Sequence, residues 1–162
     1  MASGDTLCIL LPGHNEPPAS NYATKGTRNQ HRVLKFSNAA NQSAVFSAVM
    51  PRHYGGGSII PYYHVSSTGT SNAFDIDGAF EKIGDGSQDV DSDGFASAKS
   101  SDGNTVPATS GNVDIITGPT FSSSEADSIA AGEKFRFKIT RDASSDSSSD
   151  VMELHAIELK EA

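Results

Sequence analysis

Apolar and polar positions alternate along most of this chain with the two-residue period of a β-strand. Residues 6–11 form a short, almost continuous apolar run, and 32–36 begin a second. In 44–50, Val45, Ser47 and Val49 oppose Ala44, Phe46, Ala48 and Met50. In 57–65, Ile59, Tyr63 and Val65 share one face, and Ile60, Tyr62 and His64 the other. Pro61 has no N–H to donate to a ladder, so it marks an edge or a bulge. Residues 73–83 place Phe74, Ile76, Gly78, Phe80 and Lys82 on one side. The step from Phe80 to Ile83 breaks that period and predicts a bulge or a strand end. Residues 94–98 and 112–121 read as further strands. The most regular stretch is 133–141, with Phe135, Phe137 and Ile139 inward and Lys134, Arg136 and Lys138 toward water. In 151–159, Val151, Glu153, His155, Ile157 and Leu159 oppose Met152, Leu154, Ala156 and Glu158.

Turn residues separate these runs. Gly55-Gly56-Gly57, Ser67-Thr68-Gly69, Gly84-Asp85-Gly86, Asp102-Gly103-Asn104 and Ser110-Gly111-Asn112 supply the backbone freedom of tight turns. Helical character is confined to one place. Ser122 and Glu125 are spaced as a capping box, with one or two turns expected before Gly132. About eight to nine evenly spaced strands predict an all-β fold, a jelly-roll-like antiparallel β-sandwich. Residues 1–162 read as a single domain. Residues 13–30 are polar, and Pro17-Pro18 keeps them extended, as an arm along the domain or along a neighbouring subunit. The Ser/Asp-rich stretch 142–150 reads as a mobile hairpin loop.

Composition narrows the function. Of 162 residues, 36% are hydrophobic and 20% charged, with 24 Ser, 15 Gly and no Trp. The Ser and Gly fall mostly between the strands, so this is loop composition and not that of a disordered chain. A net charge of −8 without a Lys/Arg cluster argues against nucleic acid and anionic membranes as partners. The lone Cys8 excludes an intrachain disulfide and reads as a small buried hydrophobe on a strand. The opening residues lack the basic and apolar regions of a signal peptide, and no run is long enough for a membrane helix.

Little in the sequence carries chemistry, and the expectation is that the protein is not an enzyme. Asp89, Asp91, Asp93 and Gly94 match the first half of an EF-hand loop. Ser100 stands where the bidentate Glu belongs, so a solvated acidic turn is the favoured reading and calcium at Asp89, Asp91 and Asp93 the alternative. His14, His31, His53, His64 and His155 have no metal-ligand spacing, and no Gly-x-Ser-x-Gly elbow occurs. Asp75 and Asp77 are two apart on one strand, but nothing around them implies a cleft. Tyr54, Tyr62 and Tyr63, with Tyr22 behind them, are candidate stacking surfaces for a sugar.

The second half carries a resemblance. Ala131-Gly132-Glu133 leads into the alternating strand that ends in Arg141-Asp142, and after a polar loop comes the last alternating strand, 151–159. This is similar to the final hairpin of small jelly-roll structural proteins of tailed-bacteriophage virions. Residues 15–24 and 80–86 also resemble segments of those proteins, and together the likeness covers about half the chain. It implies a virion structural protein, most directly a capsid decoration or cement protein, or else a tail- or fibre-associated one. It implies self-association, commonly as a trimer, contacts with a major capsid protein, and synthesis in a bacterial cytoplasm. It carries over no functional residue. The first expectation is therefore a non-enzymatic virion subunit. The alternative is a carbohydrate- or receptor-binding module presenting Tyr54, Tyr62 and Tyr63 to a glycan.

Overall fold

A computed structural model describes residues 4–162. Ten strands form two packed antiparallel sheets: β1 (Thr6–Leu10), β2 (Thr24–Arg28), β3 (His31–Phe36), β4 (Gln42–Val49), β5 (Ile59–Ser67), β6 (Ala73–Ile83), β7 (Lys99–Thr105), β8 (Asp114–Thr117), β9 (Lys134–Arg141) and β10 (Met152–Glu161). The first sheet runs β2-β3-β10-β5-β8, with β1 also paired to β10; the second runs β4-β9-β6-β7. The expected all-β jelly-roll sandwich is what the chain forms. Among the described residues no helix is long and apolar enough to cross a membrane.

The core is the inward half of each alternation. Leu34, Phe36, Ile59, Tyr63, Val65, Met152, Leu154, Ile157 and Leu159 from the first sheet meet Phe46, Phe74, Ile76, Phe80, Phe135, Phe137 and Ile139 from the second. Phe80 is the aromatic centre, 4.8 Å from the Phe137 ring and edge-on to Phe121 at 5.0 Å. Gly78 is a packing necessity: a Cβ there would lie 2.9 Å from the Tyr63 hydroxyl and 3.0 Å from Phe137. Cys8 sits on β1 against this core, and burial pushes its thiol up to about 12.

Several local expectations shift. Residues 13–30 are bound along their own domain. Pro12–His14 is a 3-10 turn. Asn15 bridges Phe46, Glu16 N–H donates to Val45 O at 2.7 Å, and Ala23 N–H donates to Ser43 O at 2.9 Å. These bonds cover the outer edge of β4, which would otherwise present unpaired amides. Thr24–Arg28 then forms β2, a polar strand stabilised by its pairing with β3.

The strand expected at 94–98 lies instead at Lys99–Thr105, where pairing with β6 imposes an extended backbone on a polar sequence. β6 runs unbroken through Ile83 against β9, and its irregularity falls between Phe74 and Ile76 opposite β7. The capping box forms, with Ser122 N–H donating to Glu125 Oε2 at 2.8 Å, but turns follow it and not a helix. Asp127 and Ser128 adopt positive φ, which ends the helical path at once. Arg136 and Lys138 do not simply face water: Phe95 folds beneath them, 5.0 and 4.7 Å from their cationic groups.

Candidate functional site

The site is organised by an irregularity in β10. On one side β5 pairs with β10 from Met152 to Glu161, with a register shift between Leu154 and Ala156. On the other side β3 covers Met152–Leu154 and β1 covers Ile157–Leu159 and Lys160. His155 falls at the bulge and in the gap between β3 and β1. The bulge also resets the faces: Leu154 and Ile157 both point into the core, although strict alternation puts them on opposite sides. A bulge re-aims a side chain at a fixed point on a rigid sheet, and here it turns His155 outward.

Around His155 a buried polar network forms. Glu153 is only 2% exposed. Its Oε2 accepts from Arg28 Nη1 at 2.6 Å and from Ser66 Oγ at 3.1 Å. Arg28 is held further by Ser67 O at 3.0 Å and Ser110 Oγ at 2.8 Å. Ser66 Oγ lies 2.8 Å from His155 Nε2. A serine has one proton to donate and the carboxylate can only accept, so Ser66 donates to Glu153 and His155 donates its Nε2–H to Ser66. That tautomer leaves Nδ1 as an acceptor. Burial lowers the His155 pKa below 6.5; Glu153 opposes the shift, and His31, Arg28 and His64 add to it. The net effect favours the neutral imidazole.

Gly111 closes the far side. It has φ +85°, and a Cβ there would lie 2.8 Å from Arg28 Nη2. Only glycine lets the loop between β7 and β8 approach the guanidinium so closely.

Above this network lies a hollow of about 420 Å³ lined by Arg28, Asn29, His31, Asn112, Val113 and His155, among others. A second hollow of about 360 Å³ shares His155 and adds Leu11, His14 and Arg32. A third, of about 310 Å³, shares Arg32 and Gly13 with the second and adds Lys25 and Thr27. Linked through these shared residues, the three form one groove that turns about the β2–β3 hairpin, with Arg28 and His31 on one face of the hairpin and Lys25, Thr27 and Arg32 on the face that carries Leu34.

Ser66, His155 and Glu153 invite comparison with a hydrolytic triad, but the wiring differs. The acid bonds the serine and not the imidazole, and Ser66 is 0% exposed. The hydroxyl therefore has no access to a substrate.

The candidates read from sequence are dispersed. Tyr63 is fully buried in the core, with its hydroxyl unpartnered, and burial followed by the Asp77 charge raises its pKa. Tyr54 is 6% exposed and donates to Gly57 O at 2.5 Å. Neither ring is open to stack on a sugar. Tyr62 alone of the three is part-exposed, with the Lys160 ammonium 5.6 Å from its ring centre. Gly55 and Gly57 donate their amides to Glu161 Oε1 at 3.1 and 3.3 Å, so that glycine turn holds a carboxylate of its own chain.

Asp89 and Asp93 cap their own loop, accepting from Asp91 N–H at 3.0 Å and Asp89 N–H at 2.7 Å. Among the described residues no group of three or more acidic, His or Cys side chains is arranged to hold a metal. Asp75 and Asp77 accept from Gly103 N–H at 2.7 Å and Ser100 Oγ at 2.6 Å, which ties β6 to β7.

Sequence reading missed Arg28, Ser66 and Glu153, which lie far apart in the chain. The one available signal was the three-residue step from Leu154 to Ile157, which marks the bulge.

No protein-family model matches this chain, and no curated protein matches it in sequence. Solved structures do match in shape. The C-terminal CBM6 of LamC, a marine laminarinase from Zobellia galactanivorans, superposes with a TM-score of 0.55 at 14% identity, covering 97% of this chain and 100% of that one. A carbohydrate-binding module, CBM6cm-2, from Cellvibrio mixtus lichenase 5A in complex with cellotriose gives 0.52 at 12% identity, covering 98% and 99%. At such identities the likeness is one of fold, and it places this chain among two-sheet jelly-roll sandwiches.

Proposed function

We propose that this protein is a non-catalytic module that binds a carbohydrate in the groove over His155. The observation that supports this most directly is the mouth of the first hollow. There Arg28 and His155 are fixed by buried hydrogen bonds on paired strands, beside Asn29, His31 and Asn112. A sugar offers several hydroxyls at fixed angles, and pre-positioned donors and acceptors on rigid elements recognise it at little entropic cost. The similar sandwiches of known structure include carbohydrate-binding modules, which fits this reading. The buried Ser66 favours binding over turnover. A glycan array on the full chain tests it: oligosaccharide hits are expected, weakened about tenfold or more by His155→Ala or Asn112→Ala. An empty array overturns the reading.

A second reading is the self-associating virion subunit, a homo-oligomer such as a trimer, seated against a major capsid protein. The free edge of β8 favours it: Ile115 is 56% exposed on a strand that has no outer partner among the described residues, and Val113, just before the strand, is 50% exposed. Light scattering that finds only monomer, together with no uptake onto particles, removes it.

A further inference from the structure

The groove reverses the charge of the molecule that carries it. The chain has a net charge of −8, yet no Asp or Glu occurs between Glu16 and Asp75. Of the five Lys and Arg in that stretch, four, Lys25, Arg28, Arg32 and Lys35, lie on the β2–β3 hairpin. The four are spaced three or four apart in sequence; pairing β2 with β3 gathers them on one hairpin, Lys25 and Arg32 on the face of Leu34 and Arg28 and Lys35 on the other. No acidic side chain lines any of the three adjoining hollows, while Lys25, Arg28 and Arg32 do. The one carboxylate beneath is Glu153, and it is already engaged by Arg28 at 2.6 Å and Lys35 at 4.0 Å. Lys25 and Arg32 form no ion pair with any described residue.

We infer that the carbohydrate bound in this groove is an anionic one, a glycan bearing carboxylate or sulfate groups, with Arg32 and Lys25 as its charge contacts. This rests on the carbohydrate reading above. Arg32 offers a planar fork suited to two oxygens of one carboxylate or sulfate, and Lys25 offers a point charge one hollow further along. Arg28 and His155 are held by the protein itself, so they serve sugar hydroxyls, and the unpaired cations serve the anionic substituent. Nucleic acid fits less well. It would need many phosphate contacts and aromatic platforms for its bases. The hollows contain no Phe, Tyr or Trp, and the molecule as a whole is acidic.

Calorimetry on the full chain tests this with four probes: tetragalacturonate, a sulfated carrageenan tetrasaccharide, neutral cellotetraose and a short single-stranded oligodeoxynucleotide. At least one charged sugar is expected to bind about tenfold or more tighter than cellotetraose, and to weaken between about 0.05 and about 0.5 M salt. The first two probes tell a carboxylate preference from a sulfate one. Arg32→Ala and Lys25→Ala are each expected to remove about tenfold of that affinity, and Arg32→Lys to restore part of it. Both side chains are exposed, so an unchanged melting temperature shows that the fold survives. Cellotetraose binding as tightly as the charged sugars, or variants binding as wild type does, overturns the anionic inference and leaves the carbohydrate reading standing. An oligodeoxynucleotide bound most tightly also overturns it, and no binding of any sugar overturns both.

Discussion

Arg141 and Asp146, five residues apart, form a forked ion pair inside the protein: Nε to Oδ2 at 2.6 Å and Nη2 to Oδ1 at 3.2 Å. Both side chains are essentially inaccessible, at 0% and 1% exposure. Arg141 also donates to Phe36 O at 3.2 Å, Asp150 O at 2.5 Å and Ser148 O at 2.7 Å, and its guanidinium lies 4.8 Å from the Phe74 ring centre. The Ser/Asp-rich stretch 142–150, whose composition predicts a mobile loop, is thus wrapped around a buried cation. Its backbone carbonyls supply what a solvent shell would otherwise give.

Removing one partner leaves the other charged and buried. Arg141→Ala is expected to destabilise the protein by about 3–5 kcal/mol. Urea denaturation of the variant checks this, and a loss below about 1 kcal/mol would mean that the pair is dispensable.

The three candidate tyrosines should behave differently from one another. Tyr63→Phe removes a buried hydroxyl that has no partner, so stability is expected to hold or rise by up to about 1 kcal/mol. Tyr54→Phe deletes the bond to Gly57 O and is expected to cost about 1 kcal/mol. Neither should alter glycan binding, since neither ring is open. Thermal melts alongside binding isotherms separate the effects, and loss of binding in Tyr63→Phe would contradict the burial argument.

The buried network predicts a pH dependence. The folded pKa of His155 lies below its unfolded value of 6.5. Above 6.5 both states carry the neutral ring, and its contribution is complete. As pH falls through 6.5, the unfolded chain takes up a proton that the folded chain resists, so stability declines. The melting temperature is expected to drop between about pH 7 and pH 5, and His155→Gln, which keeps a donor for Ser66, should flatten that slope. A slope identical in the variant would assign the effect to another group.

Calcium offers a plain check on the acidic turn. Asp89 and Asp93 already accept backbone amides, so an ion would have to displace them. Millimolar calcium is expected to leave the melting temperature unchanged. An upward shift that Asp91→Asn abolishes would show that the loop rearranges into a site.

The core was legible because strand alternation is a local property. Phe135, Phe137 and Ile139 read inward in sequence and are fully buried in the fold, as are Ala44, Phe46 and Met50. Two strands were not legible. Thr24–Arg28 and Lys99–Thr105 lack hydrophobic alternation and are strands only because β3 and β6 lie beside them. The groove was not legible either. Arg28 and Glu153 stand 125 residues apart, and no local pattern encodes that meeting.

By itself the sequence determined an all-β sandwich, the inward faces of its regular strands, its acidic surface and the absence of a recognisable catalytic motif. All of these follow from period, composition and motif spacing, which act within a few residues. Only the tertiary structure decided which tyrosines are buried, which loop is tied down, and where the positive charge gathers. Those depend on register between distant strands. One extra residue at the β10 bulge re-aims His155, and a hairpin pairing brings Lys25, Arg28 and Arg32 from scattered positions to the lining of a groove.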